Sequence, residues 1–329
     1  MKWHRNFSIL MYQRDAAKKY LLLLLLTLTS STIFASTYYN LAGSDVSNTS
    51  SWGTSSDGSG AHPSDFNTLG DIFRLVNGAT STIGANWVMN NNTLIVGDGS
   101  AAINFTIPGA YSLTNSGTSV VNVSANATLT IQNDSYYPTF GSLDAASTVN
   151  YAAAATTQLI RSAVYGNLTL SNGSGSQLMG DVTVEGELLL SGNSVLDANG
   201  KSITINGTIS GMNTSNYLNS NSWAANLTIG ATSTPGTLYI GGGYFGNITV
   251  NAPGGSVMIA PAGTAFVSIF NSINIASGAT LDMGTLPVLD GSGISMTTSI
   301  SGTFKTECVA GSGYDPVPMG KTWGGDIYL

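Results

Sequence analysis

Asp181, Glu185 and Glu187 are the carboxylates that cluster best along this chain. Grouped carboxylates can hold a Ca²⁺ ion, hydrogen-bond an amino sugar, or do acid–base work on a polysaccharide. Their odd numbers place them on the strand face opposite Val182, Val184, Leu188 and Leu190, so all three point outward from an apolar interior. A polysaccharide lyase also needs a base and a cation to hold a uronate carboxylate. Arg161 and Lys201 are the only cations of this central region. A solvated outer strand face accounts for the same residues, because exposed acidic side chains are the norm.

A second group is suited to contact rather than reaction. Leu238–Phe245 sets Tyr239, Tyr244 and Phe245 around a Gly triplet, and aromatic rings on an outward strand face stack on sugar rings. Inward packing in a core fits them equally well. His62 lies near Asp57 and Asp65 and is the sole His beyond residue 35. One His does not build a zinc site, and His-Pro reads as a turn. Asp-Gly turns at Asp57, Asp98 and Asp290 lack the alternating acidic ligands of a calcium loop. No cofactor is expected, and Ca²⁺ is the one cation in question. Cys308 is the single Cys, which excludes an intrachain disulfide, and it has no His beside it to activate it. Asn-x-Ser/Thr triplets at Asn104, Asn122, Asn167 and Asn247 follow from a composition rich in those residues.

What must position these side chains is a folded, turn-rich β chain. Of 329 residues, 42% are hydrophobic and 8% charged, against about 25% charged in ordinary globular chains, so neutral polar groups and 40 Gly cover the surface. Regularly spaced Val, Ile and Leu argue against disorder. Beyond residue 35 the five cations Arg74, Arg161, Lys201, Lys305 and Lys321 face sixteen carboxylates, a net charge of −11. Five scattered cations make no basic patch, which excludes phosphate-backbone binding and nucleic-acid partners.

Residues 1–35 read as a secretory signal: a basic stretch up to Lys19, an apolar run from Tyr20 to Leu28, then Ala35 as the small residue before cleavage. Cleavage releases Ser36 as the new first residue. The run falls short of the ~20 apolar residues of a spanning helix, so no transmembrane segment is expected in the mature chain. The long basic stretch also admits a start at Met11, and no Cys near the cleavage site offers a lipid anchor.

Val182–Ile209 displays the repeating unit: strand, turn, strand, turn, strand, with apolar residues two apart and Gly or Asn at each bend. Three similar octapeptides recur, VSANATLT from Val123, LSGNSVLD from Leu190 and IASGATLD from Ile275. The separations between their first residues suggest three and four turns of a coil of about 21 residues. Asn226 and Asn247 share that step, whereas the step from Asn167 to Asn226 fits three turns only if those turns are shorter. So short a unit without a helix is too small for a βαβ crossover, and stacking it gives an all-β parallel β-helix of about ten turns. A β-sandwich is the competing architecture. The aromatic-rich stretch 36–92 reads as a capping region, with Ser64 starting a short helix. Residues 93–304 read as the repeats, and 305–329 as an irregular C-terminal segment, the chain being cut short or leading into a last strand.

The motifs Tyr38-Tyr39, Ser51-Trp52-Gly53, Asp57-Gly58, Ala85-Asn86-Trp87 and Val96-Gly97-Asp98-Gly99 resemble those of secreted, adhesin-like β-helix repeat proteins of Bacteroidota-type bacteria. Ala127–Thr130, Tyr165–Leu170 and the NGKSITINGT segment from Asn199 extend the resemblance over nearly all of the mature chain. It implies a right-handed coil and a secreted or outer-surface location. Members often end in a type IX sorting domain, which the sequence up to Leu329 lacks. The leading expectation is a non-enzymatic module for adhesion or carbohydrate contact, with an extracellular polysaccharide or cell-surface ligand as partner. A polysaccharide lyase or hydrolase on the same scaffold and a structural spacer are the alternatives.

Overall fold

The computed structural model describes residues 18–19, 35–135, 137–154, 157–220, 222, 224–230, 236–286, 288–289, 297–307, 322–323, 325 and 327–328. The chain divides into two units, Met1–Ala35 and Ser36–Leu329, and the second carries the strands. It is a parallel β-solenoid of about nine turns.

Three strands per turn form three faces over the first half of the coil. Thr37–Asn40, Ile72–Leu75, Thr93–Val96, Val120–Val123 and Phe140–Leu143 stack on the first face. Thr80–Thr82, Ile103–Ile107, Ala127–Ile131, Thr148–Tyr151, Asn167–Leu170, Glu187–Leu190 and Thr208–Ser210 stack on the second. Trp87–Asn90 and Leu113–Ser116 open the third.

Alternation drives each strand. On the second face Leu129, Val149, Leu168 and Leu188 are direct parallel partners, and all are buried. Their neighbours Thr128, Thr130, Asn150 and Thr169 face outward and are half-buried. Each inward aliphatic side chain contributes about 1.5–3 kcal/mol by leaving water, and identical heights on successive turns let them stack without gaps.

The recurring octapeptides do not all turn the same corner of the coil: VSANATLT and IASGATLD leave the first face, whereas LSGNSVLD leaves the second. Leu129 of VSANATLT lies on the second face, in the stack that runs through Val149, Leu168 and Leu188. In LSGNSVLD the second-face strand comes first, and Leu196 sits on the third face against Ser176. In IASGATLD, Ile275 continues the stack from Val250, and Leu281 pairs with Val257. What recurs is the corner itself. The fourth residue of each, Asn126, Asn193 and Gly278, has φ of 61°, 66° and 78°, the left-handed conformation that Asn and Gly adopt most readily. The same change of face explains the irregular step from Asn167 to Asn226. Asn167 starts a second-face strand, while Asn226 and Asn247 are stacked partners that continue the first face. Turn length also varies, since Val123 stacks on Val96 and Leu168 on Val149, and the first of these steps takes up much more chain than the second.

The stretch up to residue 92 already supplies coil strands, since Ile72 pairs with Thr93 and Thr80 with Asn104. Trp52, Phe66, Phe73 and Trp87 pack edge to face or tilted within it, ring centroids 5.0–6.5 Å apart. The helix expected from Ser64 does not form. Asp65 instead accepts the Asn67 amide in a local turn, the alternative that Asp offers a backbone. Near the other end, Thr322–Trp323 and Ile327–Tyr328 pair with Ile300 and Phe304 on the strands before them.

One level of the coil is different. The first-face sheet stops at Phe140–Leu143 and a separate sheet begins at Ala163–Tyr165. The third face likewise resumes at Gln158–Ile160, the other end of that same sheet. Only the second face runs through without a break. Side chains replace the missing ladder across this seam. The Tyr137 hydroxyl accepts the Leu159 amide at 3.0 Å, and Tyr151 accepts the Arg161 amide at 3.3 Å. Tyr165 donates to the Arg161 carbonyl at 2.7 Å. Gln158, fully buried, donates to the carbonyls of Ile131 and Asn133. Buried backbone groups must find partners, and here three tyrosines and a glutamine supply them.

Candidate functional site

Beside that seam the outer surface of the first face is hollow. Arg74, Ile95 and Asn122 are direct partners on successive turns, each flanked by buried residues and therefore facing outward. Together with Asp98, Ser124 and Asp144 they line a cavity of about 570 Å³. A second hollow of about 380 Å³ shares Ser142 and Leu143 with the first and extends along Phe140, Ser162 and Val164. The two make a groove running along the coil and ending at the open strand edges of the seam.

The register shift in Phe140–Leu143 shapes its floor. Asn122 Oδ1 accepts the Ser142 amide at 2.7 Å, standing in for a ladder bond. A Cβ on Gly141 would lie 2.2 Å from that oxygen, so a larger residue there would push Asn122 out of this bond.

Charges in the groove are few and unneutralised. The Arg74 guanidinium has no hydrogen bond or ion pair among the described residues. Asp98 accepts the amide and hydroxyl of Ser100, which holds its carboxyl below the usual value. Asp144 accepts the Ala146 amide at 2.8 Å through one oxygen, leaving the other for a ligand. The lining therefore offers one fixed cation, an amide, hydroxyls and carboxylate oxygens, a set that matches a polyhydroxylated molecule.

The expected acidic cluster sits elsewhere and is engaged in holding turns together. Asp181 accepts the Ser202 amide at 2.8 Å, and its carbonyl accepts the Ser162 hydroxyl at 2.7 Å. Asn206 donates to both Glu185 oxygens at 3.1 Å, and Ser210 donates to Glu187 at 2.6 Å. The set is also divided between corners. Ala163, Val182 and Ile203 are stacked partners, which puts Arg161, Asp181 and Lys201 at the corner entering the first face. Glu185 and Glu187 lie at the corner leaving it. Arg161 turns into the seam, where its guanidinium donates to the Tyr137 carbonyl at 3.1 Å and its Nε is buried without a partner.

Tyr239 faces outward, half-buried, between buried Leu238 and Ile240. Phe245 is completely buried, so its ring belongs to the core and has no face for a sugar. It falls at an inward position because strand alternation, not aromatic clustering, decides the side. The Tyr244 side chain, Asp290 and Cys308 lie outside the described residues. His62 turns its Nδ1 to the Trp52 carbonyl. Among the described residues there is no group of three His, Cys, Asp or Glu able to hold a metal ion, and no helix long and apolar enough to cross a membrane.

No known protein-family model, curated protein or solved structure matches this chain. The geometry of the groove is thus the ground for a functional reading. Its key residue carries a sequence signal: Arg74 is the only cation between residues 36 and 160 and alternates with Phe73 and Leu75 in a strand. It is a lone outward cation on an almost uncharged strand face.

Proposed function

We propose that this protein is a secreted or cell-surface, non-enzymatic β-solenoid module that holds an extracellular polysaccharide in the groove from Arg74 to Val164. The observation that carries the reading is the groove itself: a long, open, polar hollow along the first face, with a guanidinium that is unpaired among the described residues. Glycan chains are extended and rich in hydroxyls, and such a lining offers donors and acceptors along their length.

The lyase or hydrolase reading has less support. Glu185, Glu187 and Asp181 already accept hydrogen bonds from neighbouring turns. In the groove, Ser100 stabilises ionised Asp98, the opposite of what a general acid requires. Purified protein, assayed by retention on a panel of neutral and acidic polysaccharides and by release of reducing ends or unsaturated products, tests the proposal. Retention without product supports it. Product formation, or no retention on any member, contradicts it.

A further inference from the structure

Asp71 is 2% exposed, yet it is a carboxylate at the start of the strand Ile72–Leu75. Its Oδ1 accepts a single backbone amide, that of Ser36, at 2.8 Å. The Ser36 carbonyl in turn accepts the Ile72 amide at 2.9 Å, so Ser36 is held from both sides. Asp65 is the other charged group acting on Asp71, and it is of like sign. Among the described residues no Lys or Arg forms an ion pair with Asp71. A buried carboxylate facing one neutral donor and a second carboxylate is poorly compensated.

The Ala35–Ser36 bond is placed for cutting. Ala35 is exposed, Ser36 is half-buried, and the boundary between the two units of the chain falls between them. This is also the bond at which the signal-like segment ends in the sequence.

We infer that Ala35–Ser36 is a processing site whose cleavage completes the fold: the freed α-ammonium of Ser36 becomes the ion-pair partner of Asp71. A leader-removing peptidase supplies the catalysis and water is the co-reactant. The C–N bond breaks, the hydroxyl goes to the Ala35 carbonyl as a new carboxylate, and the Ser36 nitrogen takes up protons to become –NH₃⁺. The nitrogen already lies at hydrogen-bonding distance from Asp71, so a neutral donor becomes a cationic one with no movement of the strand. The inference rests on the export reading above and adds to it a stabilising role for the new terminus.

An N-terminal serine has a distinctive reactivity that makes the test selective. Mild periodate cleaves its 1,2-amino alcohol and removes the α-amine, leaving internal serines untouched. Protein recovered after export should begin at Ser36 and be oxidised by periodate. A different first residue overturns the inference at its first step, whatever the protein binds. Unfolding of the untreated and oxidised protein is then compared near pH 6. Loss of the α-amine should raise the unfolding equilibrium constant about tenfold, the equivalent of one pKa unit. The ammonium's pKa is raised by its partner, so its contribution is present below the free α-amino value of about 8 and fades as pH rises above it. The difference between the two forms should shrink above that range. Equal stability at pH 6 overturns the ion pair even if Ser36 is the first residue. Asp71→Asn, compared with and without oxidation, should show no difference. If that variant does not fold, the two-pH comparison on the natural sequence decides alone.

Discussion

The phenol oxygens of Tyr151 and Tyr165 lie 3.0 Å apart inside the coil, at the level where two of its three faces lose their ladder. Both rings are fully buried and meet edge to face at 6.4 Å. Each turn of a solenoid contacts only its neighbours and its buried backbone groups must be paired, so a break in the ladder on two faces needs compensation. The tyrosine pair, with Tyr137 and Gln158, provides it.

Replacing Tyr165 by Phe removes the donor to the Arg161 carbonyl and the acceptor of the Tyr151 hydroxyl while keeping the ring. The expected cost is about 1–3 kcal/mol, the penalty of a buried group left unpaired. Denaturant unfolding measures it; a variant as stable as the parent contradicts the role given to the seam.

Alkaline pH acts on the same pair. Burial raises the Tyr151 phenol from 10.0 to about 12, and burial with the neighbouring Tyr151 raises Tyr165 well above 10.0. The unfolded chain ionises first, so stability is intact below pH 10 and falls as pH climbs from there through about 12. Melting temperature against pH, read for the parent and for the Tyr151→Phe, Tyr165→Phe double variant, should show a steeper alkaline decline in the parent.

Hydrogen exchange should locate the seam directly. Amides in Phe140–Leu143 and Ala163–Tyr165 are expected to exchange faster than those in Thr148–Tyr151 and Asn167–Leu170, which lie in the unbroken second face. Uniform protection across all four strands would argue against the seam.

Leu188→Ala opens a gap in the continuous second-face stack. Loss of buried methylenes with little room to collapse costs about 2–5 kcal/mol. Glu185→Gln, which keeps an acceptor for Asn206 at an exposed corner, should stay within about 0.5 kcal/mol of the parent.

Strand identity and alternation were legible in the sequence because they depend on nearest neighbours: Ile103–Ile107 and Val120–Val123 carry period-two apolar residues between turn residues. The register of the coil was not. VSANATLT and LSGNSVLD encode the same left-handed corner residue, and a corner motif does not say which corner it turns. The seam was also hidden, since Tyr137, Tyr151 and Tyr165 look like ordinary aromatic substitutions until their hydroxyls are seen to meet backbone groups in other strands. Glu185 and Glu187 were correctly outward, but their partners Asn206 and Ser210 come from the next turn and depend on that same register. Arg74 and Asn122 come to line one cavity only because stacking brings two strands distant in sequence onto one surface, with Ile95 between them.

The measurement closest to the central claim is retention on a polysaccharide panel for the parent, Arg74→Ala, Asn122→Ala and Glu185→Gln, each first shown to be folded. A groove site predicts retention by the parent, a fall of about tenfold for Arg74→Ala through loss of charge-assisted hydrogen bonds, a weaker effect for Asn122→Ala, and none for Glu185→Gln. Retention that survives both groove substitutions and is lost with Glu185→Gln would place the ligand on the other corner and contradict the account.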